Sequence, residues 1–387
     1  LHCKLLVKLN LLFVGIITGS VVIETIFGLP GLGKLFVNGA LNRDYSLVLG
    51  LTILIGFLTI TFNAIVDILL AAIDPKIRYE WGNHIMVIKQ KNSQAVEKLS
   101  QQIEVQGRSV WQDVWRRFKA NRAAMVSAYI LAFIIIAILF GPLLGAHGFD
   151  VADWPNIHTG PNWQNGHYLG TDSLGRDLYM RVLVGGRISI LVGILGALVA
   201  VFIGTLYGAA SGFIGGNTDR VMMRVLEVLA SMPFMFFVIL LVTFFGRNIF
   251  LIFVAIGCVS WLDVARIVRG QTLSLKGKAF IEAAQVCGVS NWKIITRHIV
   301  PNVLGVVVVY ATLLVPGMIL FESFLSFLGL GVQEPMTSWG ALLQEGAQTM
   351  EVAIWQLLVP ASFMVLTLFC FNYLGDGLRD ALDPKQH

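Results

Sequence analysis

Long uncharged apolar runs dominate this chain and leave it little choice of fold. A helix crossing the hydrocarbon core of a bilayer needs about 20 largely apolar residues. Runs of that order lie at 123–146, 188–218, 228–246, 299–321 and 352–375, with a weaker one at 248–262. Two more come earlier, a short one at 9–23 and a full one at 45–66. The expected fold is all-α: a polytopic membrane helix bundle in which a six-span unit, 123–387, follows two extra spans. Charged residues make up 13% of the chain, about half the share of a soluble domain.

Basic residues in short loops set the orientation. With the segment before residue 123 inside, the inner loops collect Arg116, Arg117, Lys119 and Arg122, then Arg220 and Arg224. They also collect Arg266, Arg269, Lys276, Lys278, Lys293 and Arg297, and finally Arg379 and Lys385. The outer loops hold Arg176, Arg181, Arg187 and Arg247. Both ends of the six-span unit and the polar stretch 264–301 are thus expected in the cytoplasm, with the loop 147–187 on the outer side. The same bias accounts for the net charge of +5 and implies no nucleic-acid partner. Cys3, Cys258, Cys287 and Cys370 are scattered, so no disulfide is expected; Cys258 and Cys370 read as small buried residues. No cleavable signal peptide is evident.

Within 264–301 the sequence reads as two short helices around a glycine. Ala279, Glu282, Ala283 and Val286 share one face at i, i+3, i+4 and i+7 spacing. Ala279 and Ala283 keep that face small, so a partner's backbone could come close. Gly288 supplies a residue with φ > 0 to end that helix. Ser290 or Asn291 can cap the next, and Pro301 is expected to close it. A rigid polar knuckle between apolar runs suggests docking rather than chemistry; the plain alternative is an ordinary amphipathic loop helix.

The chain also repeats itself. Glu24, Gly31, Leu32 and Gly33 recur at the same offsets as Glu322, Gly329, Leu330 and Gly331. Each copy continues through one more apolar span to Asp-Pro-Lys, at Asp74-Pro75-Lys76 and Asp383-Pro384-Lys385. Residues 1–79 therefore read as the last two spans of a second, related unit whose own knuckle would have lain before Leu1. Residues 80–122 form a polar bridge. It ends in Trp111, Val114, Trp115 and Phe118 on one face, beside Arg116, Arg117, Lys119 and Arg122, the pattern of an amphipathic helix at the cytoplasmic interface. Met86 could start a self-standing six-span subunit, so 1–85 reads either as a fusion or as a reading artefact.

Glu282-Ala283-Ala284, Gly288 and Pro301 together resemble the signature of permeases of ATP-binding-cassette importers. Gly170-Thr171-Asp172 with Gly175-Arg176-Asp177 resembles the outer-loop motif of the dipeptide, oligopeptide and nickel branch. Residues 86–387 look like the C-type subunit of an oligopeptide permease and 11–79 like the end of its B-type partner. The resemblance implies a non-catalytic membrane subunit whose knuckle plugs into a cytosolic ATPase, with support from Arg266, Arg269 and Arg297. It also implies a B-type permease partner, two ATPase subunits that bind ATP and Mg, an extracytoplasmic peptide-binding protein, and an inner-membrane location. The chain itself is expected to bind no cofactor and no metal.

Other motifs have plainer readings. Gly28 to Lys34 mimics a phosphate-binding loop but lacks the Ser or Thr that would hold Mg²⁺, and no strand precedes it. Thr171-Asp172 is expected to cap a helix starting near Ser173, with contact to the binding protein as the alternative. Glu227, Asp263 and Glu322 lie near span ends, where solvation is as good a reading as function. Arg266, Arg269, Arg297 and His298 could pin the knuckle to the spans or meet lipid phosphates. Pro233 suggests a kinked third span. The nearby Phe234, Phe236, Phe237, Phe244 and Phe245 read as packing or lipid-facing. No catalytic constellation is present. The rival functions are a nickel or other small-solute permease of the same architecture, an ATP-independent secondary transporter, and a non-transporting scaffold.

Overall fold

The computed structural model describes Glu24 and residues 31–73, 110–231, 239–241, 243–244 and 249–382. The expected span at 9–23, most of that at 228–246 with Pro233, the bridge 80–105, Met86, Gly28 and both Asp-Pro-Lys segments lie outside them. The described chain is helical: α1 Leu32–Leu41, α2 Tyr45–Ile73, α3 Val110–Ala120, α4 Arg122–Phe140, α5 Leu178–Ile214 and α6 Gly216–Ser231. It continues with α7 Ile249–Lys276, α8 Ala279–Val286, α9 Asn291–Ile294, α10 Val300–Phe327, α11 Trp339–Gln348 and α12 Trp355–Leu382. Among the described residues, Tyr45–Phe62, Arg122–Leu144, Leu178–Ile214, Asn291–Phe327 and Trp355–Leu382 are long and apolar enough to cross a membrane. The expected all-α membrane bundle is what forms.

The longest helix, α5, packs most extensively on α7, and glycine makes that contact possible. Gly204, Gly208 and Gly212 lie every fourth residue on one face of α5. A Cβ on them would stand 2.7, 2.3 and 2.9 Å from the carbonyl oxygens of Trp261, Ala265 and Arg269, themselves every fourth residue on α7. In lipid, where apolar burial gives helices little drive to associate, such backbone approach supplies dispersion contact. α10 packs against the same α5, and α4 and α10 against α12.

α11 was not anticipated; its stretch reads as an outer loop. Ser338 caps it by accepting from Ala341 N–H at 3.2 Å. Trp339 is fully buried and donates its indole N–H to Val182 O at 2.9 Å. Its backbone N–H donates to Ser189 Oγ at 3.1 Å. That hydroxyl donates in turn to Glu322, 3.1 Å away, and Ser326 Oγ donates to the same carboxylate at 2.6 Å. Of the two readings of Glu322, solvation falls: the residue is fully buried, and Ser189 on α5 and Ser326 on α10 replace water around it.

The loop end and the helix cap are corrected. The outer loop ends at Asp177, not at residue 187. Thr171-Asp172 caps no helix; Asp177 does, accepting from Met180 N–H at 3.0 Å, and α5 starts ten residues before its apolar run at 188. Arg181 and Arg187 are therefore helical. Arg187 Nε and Nη2 donate to the carbonyls of Ile138 and Leu139, each at 2.8 Å, covering the orphan end of α4. In α3, Phe118 is buried with Ala124 and Ala381, whereas Trp115 is exposed beneath Lys119; the expected single apolar face is split between bundle and surroundings. Cys370 is buried and Cys287 exposed, both as free thiols.

Candidate docking site

The knuckle is built on an isoleucine anchor. Ile281 in α8, Ile294 in α9 and Ile299 are fully buried, and Ile295 nearly so. They pack with Ala209 and Phe213 of α5, Val264 and Val268 of α7, and Val303 and Val307 of α10. One cluster thus ties the knuckle to three spanning helices. Ile281→Ala leaves a cavity beneath α8 and is expected to cost about 2–5 kcal/mol, read as a lower unfolding temperature in detergent.

The opposite face of α8 is bare. Ala279, Glu282, Ala283 and Val286 are all exposed, as their spacing implied, and Val286 is 88% exposed. Phe280 and Trp292 are exposed alongside. Val286 and the two exposed aromatic side chains form an apolar patch on this face. Glu282 sits in the first turn of α8, where the helix dipole favours a carboxylate.

The helix ends as its glycine implied. Gly288 has φ +77° and donates to Gln285 O at 3.0 Å, while Val289 N–H reaches Ala284 O at 3.1 Å. These are the paired bonds of a Schellman motif, which fixes the exit direction. Ser290 stands at the start of α9, but its side chain makes no capping bond. Pro301 does not close a helix either. A π turn over Ile295–Ile299 leads directly into α10, with Pro301 in its first turn. The wider turn makes room for a residue that lacks an N–H and whose ring would crowd the previous turn. The knuckle is therefore rigidly continuous with a 37-residue run, Asn291–Phe327.

The three supporting arginines part company. Arg269 Nε and Nη2 grip Asp219, each at 2.6 Å, and Ser211 donates to the same carboxylate at 2.5 Å. The two guanidinium bonds hold the Asp219 carboxyl below its ordinary value against the opposing effect of burial. Arg269 therefore locks the end of α7 to the α5–α6 corner. Arg266 pairs with Asp263, and Arg224 with Glu227, one turn away on exposed surface. Arg297 is exposed on the knuckle.

At the other end of the bundle, the Gly170-to-Asp177 motif is mostly interior; only Ser173 and Leu174 are exposed. Gly170 and Gly175 have φ of +85° and +75°. Thr171 donates to Asn156 O at 2.5 Å and accepts from Thr159 N–H at 2.9 Å. Asp172 accepts the N–H groups of Leu174 and Arg176, each at 2.8 Å, and pairs with the Arg176 and Arg181 side chains. Arg176 continues to Glu334 at 2.7 Å, and Arg181 to Glu345 at 2.7 and 2.9 Å. Asp177 also meets His167 Nδ1 at 3.0 Å. The motif clamps the loop to α5 and α11; it offers a partner little surface.

Burial pushes the Asp172 carboxyl up, but Arg181 and Arg176 outweigh it and the group ends below its ordinary value. Its contribution is therefore complete above about pH 4 and fades as pH falls through the lowered value. Asp172→Asn leaves two buried guanidinium groups facing an amide, at a cost on the order of 3–5 kcal/mol. The loss of thermal stability at neutral pH should shrink in acid; an equal loss at every pH would contradict the ionic account.

With this geometry in place, comparison with known proteins is informative. A family model described as the inner membrane component of binding-protein-dependent transport systems matches residues 4–79 and 200–387. A second, the N-terminal membrane domain of oligopeptide transport permease C, matches residues 109–161. The oligopeptide transport system permease protein OppC of Escherichia coli strain K12 is 65% identical over 300 residues, covering 78% of this chain and 99% of that protein. OppC of Haemophilus influenzae is 62% identical over 301 residues, 77% and 97% of the two chains. The dipeptide transport system permease protein DppC of Bacillus subtilis is 42% identical over 278 residues, 72% and 86%.

Proposed function

This chain belongs to the family of binding-protein-dependent transport system inner membrane components, and from that membership we infer that it is the C-type permease subunit of an ATP-binding-cassette importer for oligopeptides. It is an integral protein of the inner membrane and works with other permease and ATPase subunits. The identity to oligopeptide permeases carries the cargo assignment. The observation that carries the mechanism is the bare face of α8 on its isoleucine anchor.

Two cytosolic ATPases hold ATP and Mg; this chain binds neither and catalyses nothing. One ATPase grips α8 through Glu282, Ala283 and Val286. Gly288 holds the knuckle's shape, and the π turn before Pro301 passes its displacement into α10. The Arg269–Asp219 lock passes it into α7 and α5. Closure of the ATPases and rocking of the spans become one two-state equilibrium, biased by ATP at one end and by the loaded peptide-binding protein at the other. The knuckle and both ends of the six-span unit lie in the cytoplasm, and the 145–177 loop faces the binding protein. A B-type permease completes the pathway.

The test is uptake of a labelled tripeptide into vesicles holding this chain with its permease and ATPase partners and the binding protein. ATP-dependent uptake, competed by unlabelled peptides and not by nickel, is the expected result. Competition by nickel alone would move the cargo assignment, and ATP-independent uptake would overturn the importer class. Maleimide labelling of Cys287 from the cytoplasmic face alone is the matching expectation for orientation.

A further inference from the structure

Residues 31–73 duplicate a piece of the same molecule in three dimensions. α1 and α11 are each ten residues long, and aligned end to end they place Gly39 on Gly346 and Ala40 on Ala347. In both, this glycine lies against the start of the following long helix. A Cβ at Gly39 would meet Leu47 at 3.0 Å, and one at Gly346 would meet Gln356 O at 2.5 Å. In both, the upstream glutamate of the repeat serves the same helix end. Glu24 accepts from Lys34 N–H at 3.0 Å. Glu322 accepts from Ser326, whose hydroxyl accepts from Ser338, and Ser338 accepts from Ala341 N–H, the position matching Lys34. The long helices that follow, α2 and α12, have 29 and 28 residues. The same family model also matches both regions.

The first copy is packed onto the second. Phe36, Val37 and Ala40 of α1 and Val48, Leu51 and Ile55 of α2 are buried in one cluster with Leu325, Leu328, Leu330 and Val332. Leu41 lies against Gly329, where a Cβ would stand 3.6 Å from its Cδ2. Leu226 and Ile239 belong to the same cluster. The contact joins α1 and α2 to the 325–332 segment that leads into α11, with α2 also against α6. Here it is made within one chain.

We propose that the face formed by Leu325, Leu328, Leu330, Val332, Leu226 and Ile239 is the seat for the end of a second permease chain of this family, and that α1 and α2 occupy that seat in cis. This rests on the reading of the chain as one permease subunit of an importer. The cis segment is tethered, so its effective concentration at the seat is in the millimolar range, and a separate chain must displace it. The chain is thus blocked from pairing while α1 is docked.

The test uses the full chain, co-expressed with a differently tagged B-type permease subunit of an oligopeptide importer and its ATPases. Phe36→Asp with Val37→Asp expels α1. Recovery of the B-type subunit on this chain should rise about ten-fold or more over the unmodified chain. Adding Leu328→Asp to that variant should abolish the gain. Equal recovery with and without expulsion of α1 overturns the proposal. A second arm is independent of whether the aspartates disturb folding. Bridging Leu41→Cys to Gly329→Cys with a short bis-maleimide should prevent recovery, and undiminished recovery overturns the proposal too. ATPase recovered without B-type subunit from the expelled variant defeats the seat but leaves the function standing; loss of both defeats both.

Discussion

Replacing Ala283 by tryptophan should abolish peptide uptake while the protein stays in the membrane at its normal level. Ala283 faces away from the bundle, between Glu282 and the 88%-exposed Val286, and its side chain supports nothing inside the chain. A surface substitution of that kind stays within about 0.5 kcal/mol of neutral for folding. For an ATPase seated on α8 the consequence is different. The small face is what lets a partner approach, and an indole there removes the approach along the whole helix. Central interface positions carry about 2–4 kcal/mol, so uptake should fall by a factor of about 30 to 1,000. The measurement is ATP-dependent uptake of a labelled tripeptide beside co-purification of the ATPases, and both should fail together. A Gly-Ser insertion beside Gly288 should give the same loss by another route. The Schellman bonds from Gly288 and Val289 vanish, and a docked ATPase then moves a slack loop instead of α10. Undiminished uptake in either variant would remove the coupling role from the knuckle. Ile281→Ala is the informative contrast, since it acts on stability from beneath the same helix.

What was legible in the sequence follows from how local the signals are. The spans and the knuckle could be read because apolar length, periodicity and a helix-ending glycine are properties of neighbouring residues. The start of α5 could not, because Arg181 and Arg187 look like loop residues until their partners are known. Asp172, Glu345 and the terminal carbonyls of α4 are brought to them only by folding. Sequence left solvation and function level for Glu322 for the same reason, since its serine shell comes from α5 as well as its own helix. Pro301 looked like a stop because a helix interior rejects proline, and a π turn is invisible to that rule. α11 lay inside a loop without Lys or Arg whose local clue was Ser338 ahead of Trp339. The roles of the outer-loop motif divide similarly: its glycines and Asp177 are turn and cap signals, whereas the Arg176–Glu334 and Arg181–Glu345 clamps span more than 150 positions of sequence.

One signal was present and went unread, the glycines at 204, 208 and 212. Gly208→Leu should therefore damage the fold directly. A Cβ at Gly208 would sit 2.3 Å from Ala265 O and 3.0 Å from Arg269 N, and neither can step aside because both are backbone of α7. Overpacking a fitted site typically costs about 1–3 kcal/mol and more where backbone must move. Here the two helices must separate, and separation undoes what lies below: the Arg269–Asp219 lock and the isoleucine cluster under the knuckle. Gly270→Ala provides the control, since it lies on α7 beside Arg269 with nothing within 4 Å of its would-be Cβ. That change should be neutral or stabilise by up to about 1 kcal/mol through helix propensity. Thermal unfolding of the detergent-solubilised protein reads both, and a Gly208→Leu protein as stable as Gly270→Ala would show that the glycine ladder does not hold α5 to α7. The expected order also links fold to function. Because α5, α7 and α10 share the isoleucine cluster beneath the knuckle, Gly208→Leu should lose ATPase recovery as completely as Ala283→Trp, though its own surface at α8 is unaltered.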